Sequence, residues 1–444
     1  MNRTLRILLA SAMWLAPVAA RAQDQEARPT GLPARLQWTF NFDAGWGNFG
    51  FANSLFTNPK EPGVEENLSD QWFEGYVKPA LSATFSLASS SEIYGKVSAV
   101  GERTYGSVPA AFGQDVSSFG PEELFIGWRS GKALGVGENA LDFTVGRAPY
   151  RLGHGFLLHD GSAEGGTRGG YWTNARKAFE FAAIGHFNAG LHTAEMFYLD
   201  KDELPESDSG SRLWGANYEL TAGESTFGAT YMRVFADEAI RPERNGLSVF
   251  NLRAYAAPVP TVPDLSFEVE YALEDNGDAL DSNAWTIQGA YQLSSVAWKP
   301  KLSYRYAFFE GDDPSTPTNE GFDPLLLGFN DWGQWWQGEI AGEYFLSNSN
   351  LISHLFRAHL TPNAGIATGL LFFLFNLHQP ASFAPGVTAK DLAFEVNWYT
   401  DWKINENFTA SFVAAFTDPR LAVQQAFDRT KNFAYGMVYL AYAY

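Results

Sequence analysis

The chain has 444 residues and a formal net charge of −19, because 31 Lys and Arg face 50 Asp and Glu. It contains no cysteine, which excludes a disulfide framework and metal sites built on thiolates. The acidic balance argues against nucleic acid as a partner, because phosphate backbones are bound by net positive charge. Aromatic residues make up 16% of the chain, which argues against an intrinsically disordered protein.

Residues 1–22 have the features of a cleaved secretory signal peptide. Arg3 and Arg6 form a basic start, an apolar stretch follows, and Ala20-Arg21-Ala22 fits the small-x-small pattern of a cleavage site. The apolar stretch is shorter than the roughly 20 residues that a transmembrane helix needs, which disfavours a membrane anchor. Residues 23–35 then form a short periplasmic segment before the first predicted strand.

From residue 36 onward, apolar and polar residues alternate with a period of two. Residues 36–46 place leucine, alanine and aromatic side chains on one face and polar or small ones on the other. The same alternation recurs at 264–274, 283–293 and 392–401. Such runs predict strands of about 9–11 residues, the length needed to cross a bilayer, whereas strands of soluble proteins average about 5–6.

Short connectors alternate with long polar loops, which is typical of an outer-membrane barrel. The short connectors are 88–91, 221–224, 362–365 and 404–407, and the long loops are 47–71, 105–121, 148–175, 200–211, 274–282 and 310–350. Short turns on one side of the membrane and long loops on the other predict a bacterial outer-membrane location.

The count of strands is settled by parity. One of nineteen candidate strands, 335–346, repeats Trp336, Ile340 and Tyr344 at helical spacing. Single-chain bacterial barrels have an even number of strands, so we assign 335–346 to a short helix in an extracellular loop. The sequence therefore predicts an all-β fold, a transmembrane antiparallel β-barrel of about 18 strands spanning residues 36–444.

Basic residues form the candidate solute pathway. The polar, inward faces of the strands carry Lys78, Lys96, Arg129, Arg253, Lys301, Arg305 and Arg357. The Gly-rich loop 148–175, which can fold into the pore, is bracketed by Arg147, Arg151, Arg168, Arg176 and Lys177 and carries Tyr171 and Trp172. Guanidinium groups offer carboxylates a planar fork, and aromatic faces suit sugar rings. Arg147, Arg151, Arg168, Arg176, Lys177, Arg129, Arg305, Arg357, Tyr171 and Trp172 are therefore the candidate pathway, and the anion-path hypothesis is stronger for the loop residues.

A bracing role for the basic residues is the alternative. Eleven acidic residues are predicted on the same inward face: Asp43, Glu74, Glu92, Glu102, Glu123, Asp142, Glu219, Glu268, Glu270, Glu395 and Asp401. They are numerous enough to neutralise the strand cations, in which case the basic side chains hold the wall together.

Three stretches resemble the alginate-export family of outer-membrane porins. They are Gly146-Arg147 with 150–179 (YRLGHGFLLHDGSAEGGTRGGYWTNARKAF), 322–353 (FDPLLLGFNDWGQWWQGEIAGEYFLSNSNLIS) and the strand pair 354–377. The resemblance implies an eighteen-stranded monomeric barrel that passes an anionic polysaccharide through a charged lumen. The partners that we expect are outer-membrane lipid, lipopolysaccharide, an anionic saccharide and a periplasmic export machinery.

Other functions remain open from the sequence. A general or hydrophobic-substrate porin has the same barrel pattern, and an adhesin or a barrel-embedded hydrolase is a weaker alternative. His159 is followed by Asp160, and His154 is close by, but no nucleophile motif accompanies them, so we expect no enzyme. The acidic loops offer carboxylates to Ca²⁺ without a DxDxDG motif, so no cofactor is predicted beyond a loop-bound calcium ion.

Overall fold

The computed structural model describes residues 36–53, 69–87, 91–108, 115–159, 161–256, 262–326, 337–341, 347–428 and 430–444. Within them, eighteen antiparallel strands form one sheet, which closes because the first strand pairs with the last. The strands are β1 Leu36–Ala52, β2 Ser69–Ser86, β3 Glu92–Ser107, β4 Val116–Arg129, β5 Leu141–Arg147, β6 Phe181–Ala189, β7 His192–Asp200, β8 Arg212–Ala222, β9 Ser225–Phe235, β10 Leu247–Ala256, β11 Leu265–Asp275, β12 Asp281–Gln292, β13 Lys301–Phe309, β14 Leu351–Asn363, β15 Ile366–Leu377, β16 Asp391–Lys403, β17 Phe408–Pro419 and β18 Phe433–Ala443. The all-β barrel and the count of eighteen strands are confirmed.

Short elements lie in the connections between strands. They are a 3₁₀ turn at Pro205–Ser207 and the helices α1 Pro380–Phe383 and α2 Leu421–Phe427. No helix in the described part of the chain is long and apolar enough to cross a membrane. The predicted signal peptide 1–22 and the segment 23–35 lie outside the described residues and stay predictions.

The pairing register separates the two faces of the wall. Trp38, Phe40 and Trp46 of β1 point outward, each more than 40% exposed. Between them on the other face, Asp43 of β1 lies opposite Lys78 of β2. An outer surface of exposed leucine, valine and aromatic side chains around a closed barrel is stable in lipid and not in water.

A buried aromatic cluster lines the inner wall in the extracellular half of the barrel, which the sequence pattern did not indicate. Phe49 and Trp72 point inward, are fully buried, and stack with ring centroids 5.5 Å apart. Phe51 packs 4.8 Å from Phe433 on the same inner face. Aromatic residues therefore lie on both faces of the wall, because loop segments inside the barrel also need apolar partners.

The strands of the wall are short where the largest inserted loop enters the lumen. β5, β6 and β7 have 7, 9 and 9 residues, against 17 and 18 in β1 and β2. Gly146, the last residue but one of β5, has φ +123°, and a side chain there would collide with the Leu124 carbonyl. The chain leaves the wall there, and residues 148–180, called the insertion loop below, run through the lumen with most side chains buried.

Two further segments lie against the insertion loop or the inner wall. Leu158 forms a parallel bridge with Leu326, which joins the insertion loop to residues 310–326. Of the helix predicted at 335–346, the structure describes residues 337–341 at the inner wall, where 337–340 form a bend and turn and Ala341 is helical. The rest of that prediction lies outside the described residues.

Candidate functional site in the barrel lumen

A buried carboxylate of the wall holds the middle of the insertion loop. Glu74 of β2 is fully buried and accepts the backbone N–H of Trp172 at 2.8 Å and of Thr173 at 2.9 Å. The indole N–H of Trp72 donates to the same carboxylate at 2.9 Å. These bonds satisfy an acid that would otherwise be costly to bury, and they fix the loop backbone to the wall.

A second carboxylate repeats the arrangement one strand pair further along. Glu122 of β4 accepts the backbone N–H of Lys177 at 2.6 Å and of Ala178 at 3.1 Å. The ammonium of Lys78 lies 3.3 Å from the same Oε1 atom. A register shift between β3 and β4 turns both Glu122 and Glu123 inward, so strict alternation in the sequence finds only Glu123.

A third carboxylate lies on β16 and holds a different loop. Glu395 accepts the backbone N–H of Ile340 at 3.1 Å and of Ala341 at 2.7 Å. Thr417 donates its hydroxyl to Glu395 at 3.0 Å. Gly338, at φ +81°, passes so close that a side chain would meet the carboxylate. Inward acids therefore serve as docking points for loop backbones, which accounts for part of the acidic excess in the lumen.

Two arginines of the candidate pathway share one aspartate. Arg168 donates to Asp202 Oδ1 at 2.7 Å, and Arg147 pairs with Oδ2 of the same residue. Ser162 also donates to Asp202, at 2.9 Å. Burial raises the pKa of Asp202, but the hydrogen bond and charge of Arg168 and the charge of Arg147 outweigh it and hold that pKa below its ordinary value.

Arg176 is paired inside the same loop. Its Nε lies 3.0 Å from Glu102 Oε2 and 3.8 Å from Glu164 Oε2, and its side chain is buried. Burial and the neighbouring charge of Glu102 hold the pKa of Glu164 well above its usual range, although Arg176 opposes them. Lys177 is buried as well, so of the predicted loop cations Arg151 has the exposed side chain.

The two predicted aromatic contacts are buried in the loop core. Tyr171 and Trp172 are each 2% exposed. Trp172 packs against Trp72 with ring centroids 4.6 Å apart and against Phe51 at 5.7 Å. In this conformation neither ring is presented to a solute in the lumen.

The part of the loop that carries the predicted histidines crosses to the opposite wall. His154 stacks on Tyr255 of β10 with ring centroids 3.8 Å apart, and its Nδ1 lies 3.6 Å from Glu268. The backbone N–H of His159 donates to the Leu326 carbonyl at 2.8 Å. Asp160 lies outside the described residues, so the predicted His-Asp pair stays untested.

A second group of cations lies on the wall itself. Lys301, Arg305, Arg357 and His359 point inward from β13 and β14 and are called the basic strip below. In the pairing register Lys301 lies opposite His359. The strip begins at the first residue of β13, which follows a periplasmic turn, and therefore occupies the periplasmic half of the lumen.

Within the described residues, no carboxylate oxygen lies within 4.0 Å of the side-chain nitrogens of Lys301 or Arg357. The Tyr399 hydroxyl instead accepts a hydrogen bond from Arg357 Nη2 at 2.8 Å and lies 2.5 Å from His359 Nδ1. Arg305 is 1% exposed, so it adds positive potential to the strip without a surface for contact. At Lys301 and Arg357, the strip thus presents positive charge that no carboxylate within 4.0 Å cancels among the described residues.

Arg129 lies across the lumen on β4 and is partly neutralised. Its Nε is 3.1 Å from Glu92, and both side chains are 32% exposed. The guanidinium also lies 4.6 Å from the centre of the Tyr94 ring. On the same wall Lys96 pairs with Glu123 at 2.8 Å.

The acidic loops are the candidate calcium site from the sequence. In the part of the chain that the structure describes, no group of three or more His, Asp or Glu side chains is arranged to hold a metal ion. Asp312 and Glu310 instead accept hydrogen bonds from the backbone N–H groups of Glu320 and Asn283.

Comparison with known proteins finds relatives of the fold. No family model and no curated protein sequence matches the chain. OccK7 (OpdD) of Pseudomonas aeruginosa is 10% identical, with 93% of this chain and 99% of that chain covered and a TM-score of 0.54. OccAB2 of Acinetobacter baumannii is 12% identical, with 91% and 98% covered and a TM-score of 0.57. OpdK of P. aeruginosa, crystallised with vanillate, is 10% identical, with 91% and 98% covered and a TM-score of 0.52.

These neighbours are Occ/Opd outer-membrane porins, and at such identity they establish the fold alone. The chain therefore shares the closed 18-stranded barrel of these outer-membrane porins, which agrees with the outer-membrane location predicted from the sequence. The resemblance to the alginate-export family stays a prediction from the sequence.

Proposed function

We propose that the chain is a passive outer-membrane channel for small anionic solutes that carry carboxylates, with acidic saccharides as the leading class. The observation that carries the proposal is the basic strip, whose charge is not cancelled by carboxylates at Lys301 and Arg357. An anion that enters the periplasmic half of the lumen meets these two cations beside the Tyr399 hydroxyl. A guanidinium with a free edge and an ammonium nearby suit a carboxylate.

The inserted loops favour small solutes over polymers. The insertion loop and residues 337–341 are held to the wall by Glu74, Glu122 and Glu395 through backbone hydrogen bonds. Loops held inside the barrel narrow the path, which restricts a polysaccharide chain more than a monosaccharide or a short oligosaccharide acid. Vanillate, present in the OpdK crystal structure, is also a small carboxylate, which agrees with this size class.

The test is a planar-bilayer recording of the purified channel in a salt gradient. We expect a reversal potential of the sign for anion selectivity. We also expect block by glucuronate and its short oligomers, and none by glucose at the same concentration. Block by long polyuronates alone would replace the proposal by polysaccharide export, as the sequence resemblance suggests. Cation selectivity without block by any of these acids would overturn the proposal in favour of a general or hydrophobic-substrate porin.

A further inference from the structure

Two arginines point outward from the extracellular ends of neighbouring strands. Arg212 is the first residue of β8 and lies opposite Phe235 of β9. Arg233 of β9 lies opposite Trp214 of β8 and opposite Ser248 of β10. Arg212 and Arg233 are therefore diagonal neighbours on one face, about 7–8 Å apart along the sheet. They are called the rim arginines below.

Aromatic side chains mark the level of the rim arginines. Trp214 and Phe250 are 44% and 49% exposed on the outer face. Tyr231 bridges them, with ring centroids 5.8 Å from Trp214 and 4.9 Å from Phe250. Outward aromatic belts lie at the boundary between hydrocarbon and headgroups. The rim arginines therefore lie at the headgroup level of the outer leaflet.

The rim arginines form no ion pair in the described part of the chain, although the carboxylate of Asp200 interacts electrostatically with Arg212. In the described part of the chain, neither guanidinium has a carboxylate oxygen within 4.0 Å, although Asp200 of β7 lies opposite Arg212 in the register. Arg233 Nη1 donates to the Ser248 hydroxyl at 2.8 Å, which orients its planar fork. The remaining N–H donors of both side chains are available to an acceptor in the lipid.

A depression adjoins Arg212 on the extracellular side. Its volume is about 400 Å³, and it is lined by Asp208, Ser209, Gly210, Arg212, Ala236 and Asp237. The polar lining suits a sugar headgroup and not an acyl chain. Together these features match a glycolipid. The guanidinium pair suits its phosphate, the depression suits its sugar, and the aromatic belt suits its acyl chains.

We propose that the rim arginines bind a phosphate of an outer-leaflet glycolipid, a bisphosphorylated glucosamine disaccharide with acyl chains. The phosphate accepts hydrogen bonds from Arg212 and Arg233, the acyl chains lie along Trp214, Tyr231 and Phe250, and the sugar fills the depression. Hydrogen bonds between a guanidinium and a phosphate are charge-assisted and often bidentate. Each basic residue near an anionic lipid surface adds to the binding free energy of the lipid. This surface is separate from the lumen and from the proposed transport path.

The test measures lipid retention by the purified full-length barrel in detergent, with native mass spectrometry. The probes are bisphosphorylated lipid A, its fully dephosphorylated form and phosphatidylglycerol. The variant is R212Q/R233Q. The matched control, R103Q/K132Q, removes the same charge from exposed positions that are ion-paired with Asp115 and Glu138. A heat-dependent mobility shift in gels verifies that each variant is folded, and R212K/R233K tests whether charge alone suffices.

We expect the wild-type barrel to retain bisphosphorylated lipid A, and the R212Q/R233Q variant to bind it about tenfold to thirtyfold more weakly. The control should bind as the wild type does, and R212K/R233K should lie between. Equal binding by R212Q/R233Q and the wild type would overturn the proposal. An equal loss in the control, or phosphatidylglycerol binding as tight as lipid A, would also overturn it, because either result indicates general attraction of anionic lipid.

Discussion

Two sets of cations in the lumen differ in what surrounds them. Arg147, Arg168 and Arg176 of the insertion loop region each contact a carboxylate, and all three side chains are largely buried. Lys301 and Arg357 of the basic strip contact none within the described residues and are partly exposed. The loop set therefore holds the loop in place, while the strip presents its charge to the lumen. A basic residue in a pore acts on a solute only with the charge that its neighbours leave uncancelled.

The same comparison explains the acidic residues. Glu74, Glu122 and Glu395 receive loop N–H groups, and Asp202 receives two guanidinium groups. Each is engaged by atoms of the protein, so the acidic residues add less to the lumen potential than their number suggests. An excess of acid in the sequence is thus compatible with a pathway for anions.

The largest effect is expected from Asp202→Ala. This change leaves Arg147 and Arg168 without their shared partner, and breaking a buried ion pair from one side costs about 3–5 kcal/mol. We expect faster proteolysis of the insertion loop and a larger, noisier conductance. The control is Asp115→Ala, which breaks the exposed pair with Arg103 and should change neither. An insertion loop as resistant in Asp202→Ala as in the wild type would remove the bracing role of the loop cations.

A smaller effect is expected from Glu74→Ala compared with Glu74→Gln. Alanine leaves the buried N–H groups of Trp172 and Thr173 without an acceptor, which costs about 1–3 kcal/mol for each unsatisfied group. Glutamine keeps one acceptor oxygen and should preserve most of the docking. Hydrogen exchange at residues 170–175 measures the difference. If both variants exchange like the wild type, the carboxylate is not a docking point.

Arg357→Gln tests the strip with a single charge. Loss of one uncancelled cation in the lumen should lower the anion-to-cation permeability ratio by about threefold to tenfold, and less at high salt because the charge is screened. Arg103→Gln, the same change on the outer surface, should leave the ratio unchanged. A ratio that responds equally to both substitutions would point to the overall charge of the barrel and not to the strip.

The smallest effect concerns pH. The pKa of Asp202 is lowered, so its contribution to loop docking is complete above its ordinary value of 3.8 and is lost as pH falls through the lowered value. The pKa of Glu164 is raised, so its contribution is complete below the ordinary value of 4.5 and is lost as pH rises toward the raised value.

Protease resistance of the loop, measured with an acid-tolerant protease, should therefore fall below about pH 4 and also decline above pH 4.5. Glu164→Gln should abolish the decline in protease resistance above pH 4.5. The fall in resistance below about pH 4 should remain. The same decline in the variant and the wild type would assign it to another group.

The wall could be predicted from the sequence, because alternation over long runs is a local property of the chain. The alternation predicted that Lys78, Lys301 and Arg357 point inward, and the pairing register places them on the inward face. Glu122 was missed because a register shift adds one residue to β4 and reverses the parity. No pattern in the sequence marks such a shift before the pairing is known.

The interior of the lumen could not be predicted, because it depends on contacts between distant segments. Arg147 and Asp202 are separated by 55 positions, and Glu395 meets Ala341 across 54. Alternation also does not show whether an apolar face is covered by lipid or by a loop inserted in the barrel. Phe49 and Phe51 therefore follow the same period as the outward residues while lying in a buried cluster inside the barrel.

The most direct test of the central claim compares glucuronate block of two double variants in the same bilayer recordings. K301Q/R357Q removes charge from the strip, and R147Q/R168Q removes equal charge from the loop region. We expect the strip variant to lose block by about tenfold and the loop variant to keep it within about twofold, despite a noisier open channel. Loss of block in the loop variant with full block in the strip variant would contradict the account.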